Sequence, residues 1–286
     1  MGASVGQRGR ELAGQRVSGL GGICWGAGSE TVELQCDLTL ARGYKSESQK
    51  ARVLSEGWFA KNAYCLACDA DEVKQTKANT GATDFVCPKC SHRYELKTFE
   101  RRPKGRLVDG AYAPMMQRVL AGTASTLCLM ERTKGWEIRG LTAFHSSFLL
   151  PAVVEKRPPL GPNARRAGWV GCNIRLDQIA RDGEVDVVDE GVVQPVNEVR
   201  RRFQRFLPLA KKSVEQRGWT LLTLSMVRRL GKKEFTLRDI YALEAEFARA
   251  YPDNHHVRDK IRQQLQVLRD LGVMEFVARG EYRIYN

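Results

Sequence analysis

The residues with the clearest chemistry are four cysteines. Cys65 and Cys68 form one C-x-x-C pair and Cys87 and Cys90 form another, with eighteen residues between the pairs. That spacing is the one expected of a structural zinc site. Each pair makes a knuckle, and four thiolates fill a tetrahedral ion completely, leaving no position for water or substrate. The expected zinc is therefore structural. A redox dithiol is the rival reading of a C-x-x-C motif, and two matched pairs at this distance weigh against it. Cys24, Cys36, Cys128 and Cys172 lack ligand spacing and read as core thiols.

Carboxylates are threaded through the same segment. Thr83-Asp84-Phe85-Val86 and Tyr94-Glu95-Leu96-Lys97 each read as a short strand, with the second cysteine knuckle as the turn between them. Such a hairpin sets Asp84 beside Glu95. Alternation along the strand sends Glu95 and Lys97 to one face and Leu96 to the other, so two carboxylates and an ammonium converge. Phosphodiester hydrolysis uses that trio. Hard carboxylate oxygens hold magnesium, the metal offsets the charge building on phosphorus, and the lysine orients and helps deprotonate the attacking water. Taken alone the pattern D-x10-E-x-K is weak, because a highly charged chain offers such triplets by chance on solvated strand faces. Its position strengthens it: a rigid metal crosslink between Asp84 and Glu95 fixes the two against each other.

The elements around these residues belong to a chain of 286 residues, long enough for two domains with a core in each. Its 46 Lys and Arg against 33 Asp and Glu leave a formal charge of +13, which favours a nucleic-acid partner. No apolar run reaches the roughly 18 residues that span a bilayer, so no membrane association is expected. Residues 1–30 are rich in Gly and Arg, lack the apolar core of a signal peptide, and read as a disordered basic arm: a phosphate tether or a solvated leader. Without an export signal the expected location is cytoplasmic, where the eight cysteines stay reduced.

Downstream the pattern changes. A helix runs from Trp219 to about Leu230, Thr236-Leu237-Arg238-Asp239 is a capping box that opens a second, and a third follows Asn254. That is a helix-turn-helix order. Val257, Ile261, Leu265, Leu268 and Leu271 share one face of the third helix, while Asp259, Arg262, Gln263 and Gln266 lie opposite. Met274 and Phe276 alternate against Tyr282 and Ile284 around Arg279-Gly280, which makes a wing. The polar face with Arg258, Arg262, Gln263 and Gln266, and Arg279 in the wing, are the candidate DNA contacts here. The other reading is a small protein-interaction domain with a solvated helix face. His255 and His256, just inside the start of the third helix, are phosphate contacts, solvent-facing or base readers, and Arg200-Arg201-Arg202 reads as a solvated or phosphate-facing run.

Asp84 followed by Glu95-Leu96-Lys97 resembles the PD-(D/E)xK nuclease motif, and the surrounding chain resembles the DpnI-like family of methyl-directed restriction endonucleases. The resemblance is carried by Tyr44-Lys45-Ser46 with Ser48-Gln49-Lys50-Ala51-Arg52, by Asp109-Gly110-Ala111-Tyr112-Ala113, by Ala164-Arg165-Arg166-Ala167-Gly168-Trp169 with Gly171-Cys172-Asn173-Ile174, and by Lys260-Ile261-Arg262-Gln263-Gln264-Leu265-Gln266. It runs from about Cys36 to the C-terminus.

The resemblance implies a mixed α+β PD-(D/E)xK catalytic domain with an embedded zinc site over residues 31–212, and a winged helix over 213–286. It implies a monomer that cuts double-stranded DNA at GATC when the adenine carries an N6 methyl, with both domains reading the methylated sequence. On the matching positions, Asp84 and Glu95 would hold Mg2+, Lys97 would activate water, and Cys65, Cys68, Cys87 and Cys90 would hold Zn2+. Trp169 would stack or wedge between bases from a DNA-contacting loop while Arg165 and Arg166 take phosphates. Without the resemblance, a tryptophan after glycine reads as core. The chain departs from the family in its N-terminal arm and from Asp69 to Thr80. Two other functions stay open: a nuclease of the same fold with different specificity, and a noncatalytic zinc-containing DNA-binding regulator. The Asp84, Glu95 and Lys97 trio argues against the regulator. The Arg165-to-Ile174 segment and the third helix argue against a generic nuclease.

Overall fold

The computed structural model describes residues 32–77 and 83–285; the expected N-terminal arm, Cys24 and the end of the divergent Asp69–Thr80 stretch lie outside them. The N-terminal part contains helix α1 (Glu47–Asn62), strands β1 (Lys74–Gln75), β2 (Phe85–Val86), β3 (Arg93–Phe99) and β4 (Arg106–Ala111), and helix α2 (Tyr112–Ala121). Strands β5 (Thr126–Arg132), β6 (Ile138–Phe144), β7 (Val154–Lys156), β8 (Gly171–Arg175), β9 (Glu184–Asp189) and β10 (Val192–Val193) follow, then helix α3 (Val196–Gln204).

Seven strands make one sheet in the order β1-β2-β3-β5-β6-β9-β10. Its β3–β5 pair is parallel, so the chain must leave the sheet between them, and β4 with α2 is that crossover. β4 joins a second, antiparallel sheet of order β4-β8-β7. The central strand β5 is an apolar run buried from Thr126 to Met130. Its side chains alternate between two cores, as strand geometry requires. Leu127 and Leu129 pack with Leu107, Met115, Val119 and Ile174 beneath the small sheet and α2. Cys128 and Met130 pack on the other face with Leu54, Trp58 and Phe59 of α1 and with Phe203 of α3.

The C-terminal part is α4 (Val214–Arg229), β11 (Glu234–Thr236), α5 (Leu237–Tyr241), α6 (Glu244–Ala250), α7 (Val257–Asp270), β12 (Met274–Ala278) and β13 (Glu281–Ile284). The capping box at Thr236 and Asp239 is formed, and a second one closes the start of α4 between Ser213 and Gln216. On α7, Val257, Ile261, Leu265, Leu268 and Leu271 are all buried, whereas Asp259, Arg262, Gln263 and Gln266 are exposed. The wing pairs Met274 with Ile284 and Phe276 with Tyr282 in the expected register. Three details differ from the sequence reading, the first being that α4 starts at Val214, five residues before the expected Trp219. The second helix is two short ones, α5 and α6, and the wing gains a third strand because β11 pairs with β13. A three-residue strand is too short to show a period.

One apolar cluster runs from beneath the small sheet through α4 into α7. The seam also carries charge: the buried Arg217 side chain donates to the Val119 carbonyl at 3.1 Å, and Arg228 pairs with Asp182 at 2.5 Å. Among the described residues, no helix is long and apolar enough to cross a membrane.

Candidate active site

Strand β3 presents the candidate catalytic residues by register. Glu95 stands opposite Leu127 and Lys97 opposite Leu129, so both face the small sheet, while Tyr94 and Leu96 face the other way. Asp84 falls just before β2, which starts two residues later than the sequence reading placed it, yet Asp84 is held as expected. Its backbone N–H donates to the Tyr94 carbonyl at 2.9 Å, and its Oδ2 accepts from the Leu96 N–H at 2.8 Å. The antiparallel pairing of Phe85 with Tyr94 then places Asp84 beside Glu95.

A fourth group completes the cluster. The Lys97 ammonium lies 2.7 Å from Glu95 Oε1 and 2.8 Å from Asp109 Oδ1, a carboxylate delivered from β4 of the other sheet. The Asp109 side chain is 2% exposed, and its Oδ2 has no hydrogen-bond donor among the described residues. Asp109 was visible in the sequence only as part of a matched segment, with no role attached. Its contact with Lys97 depends on β4 pairing with β8 some sixty residues later. Burial raises the Glu95 carboxyl above its ordinary pKa, the neighbouring Asp109 adds to this, and Lys97 pulls it back. Burial by itself would lower Lys97, but Glu95 and Asp109 outweigh it and hold the ammonium above its usual value.

These residues line a groove of about 750 Å³ together with Ser48, Arg52 and Glu56 of α1 and Pro114, Met115 and Arg118 of α2. Crowded carboxylates, with the buried Asp109 Oδ2 unpartnered among the described residues, fit a hard, oxygen-seeking cation of the magnesium kind, which Asp84 and Glu95 could hold.

The four cysteines meet as expected. Their sulfurs lie within 4.8 Å of one another, with Cys65 to Cys90 and Cys68 to Cys87 each at 3.6 Å. Two thiolates at about 2.3 Å from a tetrahedral zinc stand about 3.8 Å apart, so the set fits that ion. The backbone N–H groups of Lys89 and Cys90 approach Cys87 Sγ at 3.4 Å, as a knuckle turn allows. The cluster is tied to β3 directly: the hydroxyl of Tyr94, the residue before Glu95 on the opposite face of the strand, lies 3.2 Å from Cys65 Sγ and accepts from the Leu66 N–H at 2.9 Å. Cys36, Cys128 and Cys172 are buried, as read.

The Arg200-Arg201-Arg202 run is corrected in two members, since Arg202 is half-buried and donates to the Glu184 carbonyl at 3.3 Å. Arg200 is neither solvated nor phosphate-facing: it donates to the carbonyls of Cys65 at 3.1 Å and Ala70 at 2.8 Å and stacks on Tyr64, bracing the first knuckle. Arg201 is exposed and pairs with Glu198.

The candidate DNA contacts fall in two places. Arg165 and Arg166 are exposed on the loop between β7 and β8, and Trp169 is half-buried at its end, beneath the Arg166 guanidinium at 4.9 Å. The loop closes by Leu160 N–H to the Trp169 carbonyl and Gly168 N–H to the Leu160 carbonyl, both 2.9 Å. It feeds into β8, where Gly171 faces Ala111 and Cys172 faces Asp109, so it stands beside the groove. On the C-terminal part, Arg258, Arg262, Gln263, Gln266 and Arg279 are all exposed. Arg258 is held by Glu244 at 2.8 Å and Arg262 by Asp259, so each must exchange a carboxylate for a phosphate to bind DNA. His255 and His256 are exposed just before α7.

Comparison with known families places this geometry. Residues 32–212 match the model of the DpnI, Dam-replacing family, and residues 215–284 match that of the Dam-replacing helix-turn-helix domain. The chain therefore belongs to the Dam-replacing family of DpnI-like, restriction-type nucleases, and it carries that family's DNA-binding helix-turn-helix domain at its C-terminal end.

Proposed function

We propose that the chain is a magnesium-dependent type II restriction endonuclease that hydrolyses double-stranded DNA at GATC sites whose adenine is N6-methylated. It works as a cytoplasmic monomer in two domains, a catalytic one over residues 31–212 with one structural zinc and a winged helix over 213–286. The observation that carries the catalytic half is the convergence of Asp84, Glu95 and Lys97 with Asp109 in one groove.

Magnesium bound by Asp84 and Glu95 would supply the positive charge that offsets charge build-up on the attacked phosphate. The protein supplies the rest. Leu96 N–H fixes the Asp84 carboxylate, and the extended β3 backbone fixes Glu95 two residues from Lys97 on the same face. An ammonium has three N–H donors, and Glu95 and Asp109 engage two of them, so Lys97 keeps one for the water that attacks phosphorus. Two carboxylates on fixed strands leave that donor little freedom, which is the orientation that in-line attack requires.

For sequence reading, the exposed Gln263 and Gln266 on α7 have the paired donor and acceptor that suit an adenine edge in the major groove. N6-methyladenine still offers one donor hydrogen and N7 there. Trp169, with Arg165 and Arg166 on phosphates, provides the second reader at the catalytic groove. Plasmid DNA carrying methylated, hemimethylated or unmethylated GATC sites, incubated with the protein and magnesium, tests this. Cutting confined to methylated sites is expected; equal cutting of all three would leave a nuclease of other specificity, and no cutting would leave a DNA-binding regulator.

A further inference from the structure

We infer that Arg118 is a phosphate-binding residue of the cleavage groove, taking the non-bridging oxygens of a backbone phosphate beside the carboxylate cluster. The inference rests on the nuclease reading above and extends it to a residue outside the PD-(D/E)xK pattern.

Three cations line the groove among the described residues: Arg52, Lys97 and Arg118. Two are committed. Arg52 is paired with Glu56 at 2.8 Å, and Lys97 is locked between Glu95 and Asp109. Arg118 is half-buried, with no hydrogen bond or ion pair to its guanidinium among the described residues. It also borders the narrow recess beneath Glu95 and Asp109, so the cation stands next to the catalytic carboxylates without being neutralised by them. An unpaired guanidinium keeps its donors free for a ligand, and its planar fork matches phosphate oxygens in particular. The groove that would receive a polyanion thus keeps one uncommitted cation at its floor.

The helix carrying Arg118 is held at both ends. The Tyr112 N–H donates to the Val170 carbonyl at 3.1 Å, linking the start of α2 to the base of the Trp169 loop. At the other end Gly122 adopts φ of +68° and Arg217 donates to the Val119 carbonyl. With its backbone fixed, Arg118 needs only a side-chain adjustment to meet a phosphate, which keeps the ordering cost of binding low.

Binding of a methylated GATC duplex, measured in metal-free buffer across a salt series, tests the site without relying on cleavage. Each phosphate neutralised contributes about 0.9 to the slope of log K against log salt. Arg118→Ala and Arg118→Met, the second keeping the apolar stem, should each flatten the slope by about one such contact, and Arg118→Lys should restore most of it. In magnesium, the Ala and Met variants should lose roughly ten- to a hundredfold in kcat, the range of a charge-assisted hydrogen bond, with the Lys variant between them and wild type. Wild-type slope and wild-type kcat in the Ala and Met variants, with unchanged melting, would overturn the inference. If the unaltered protein binds but never cuts, it is the nuclease reading that fails, and the salt slope still decides whether Arg118 holds phosphate.

Discussion

The Lys97 ammonium lies 2.8 Å from Asp109 Oδ1 although β3 and β4 belong to different sheets. The second partner matters because a lysine held by Glu95 alone would follow that carboxylate toward any metal it binds. With Asp109 on its other side, Lys97 stays in place when Glu95 turns to a cation. Asp109→Asn keeps the shape and an acceptor but removes the charge, and a hydrogen bond to a charged group is worth about 1.5 to 3 kcal/mol. The expected result is a fall of roughly ten- to a hundredfold in kcat with KM and the melting midpoint nearly unchanged. Unchanged kcat would show that Lys97 is held well enough by Glu95.

Asp84→Ala and Lys97→Ala should abolish cleavage and leave affinity for methylated duplex close to wild type. Neither residue belongs to the predicted reading surfaces, and the Asp84 carboxylate is committed to the Leu96 N–H within the sheet. Gel-shift affinity beside a digestion time course checks both halves. Turnover by either variant would remove the residue from the chemistry.

The protein should contain about one zinc per chain by elemental analysis, and Cys87→Ser should lose the metal and melt the catalytic domain, since a four-thiolate zinc contributes folding free energy directly. Arg200→Met gives a milder version of the same loss. It leaves all four thiolates but removes donors from the Cys65 and Ala70 carbonyls, so zinc should leave faster to a chelator. Chelator kinetics equal to wild type would show that Arg200 merely packs.

The four-cysteine cluster and the convergence of Asp84, Glu95 and Lys97 were legible in sequence because all seven residues lie within a short stretch where local rules act: knuckle spacing, a hairpin, and alternation along a strand. The α7 core face was legible for the same reason, through the helical period of Val257, Ile261, Leu265 and Leu268. Asp109 and Arg200 were not. Asp109 reaches Lys97 only through the pairing of β4 with β8, and Arg200 braces Cys65 across 135 residues of chain. Both look like ordinary surface charges until the tertiary fold buries them. Arg118 was invisible for a related reason, since its significance lies in having no partner among the described residues.

Acid should destabilise the protein more steeply than its surface carboxylates explain. His92 is half-buried and His145 fully buried, both against Phe203, and burial pushes their pKa values down to about 4 and about 3. Both are neutral in the folded state, and His145 Nδ1 accepts from the Ser147 N–H at 3.1 Å. A histidine depressed in the fold takes up its proton on unfolding, so its stabilisation is present above the unfolded pKa of about 6.5 and is lost as pH falls toward the folded value. Between about pH 6 and 4 each should cost on the order of 1.4 kcal/mol per pH unit. His145→Asn keeps an acceptor for Ser147 and removes one titration, so urea midpoints for this variant should fall less steeply over that window. Parallel pH curves for variant and wild type would exclude His145 as a source.

Trp169 and Gly171 give the final prediction, because the structure makes one the seat of the other. A Cβ on Gly171 would lie 2.8 Å from two ring atoms of Trp169, so only glycine lets the ring rest where it does, beneath Arg166 and beside the groove. Because Trp169 is half-buried rather than enclosed, Trp169→Ala should cost much less stability than the about 3 to 5 kcal/mol of a core tryptophan. If the ring stacks on bases, its loss should remove about 1 to 3 kcal/mol of binding, on the order of tenfold to a hundredfold in productive complex. Gly171→Ala keeps the tryptophan but must push its ring off that seat, so it should weaken cutting of methylated DNA in the same direction while Lys97 and the carboxylates keep their geometry. Reduced cutting in both variants with melting midpoints near wild type supports a DNA-contacting ring. A large drop in midpoint for Trp169→Ala, with Gly171→Ala cutting normally, would mean that the ring serves only to pack the loop.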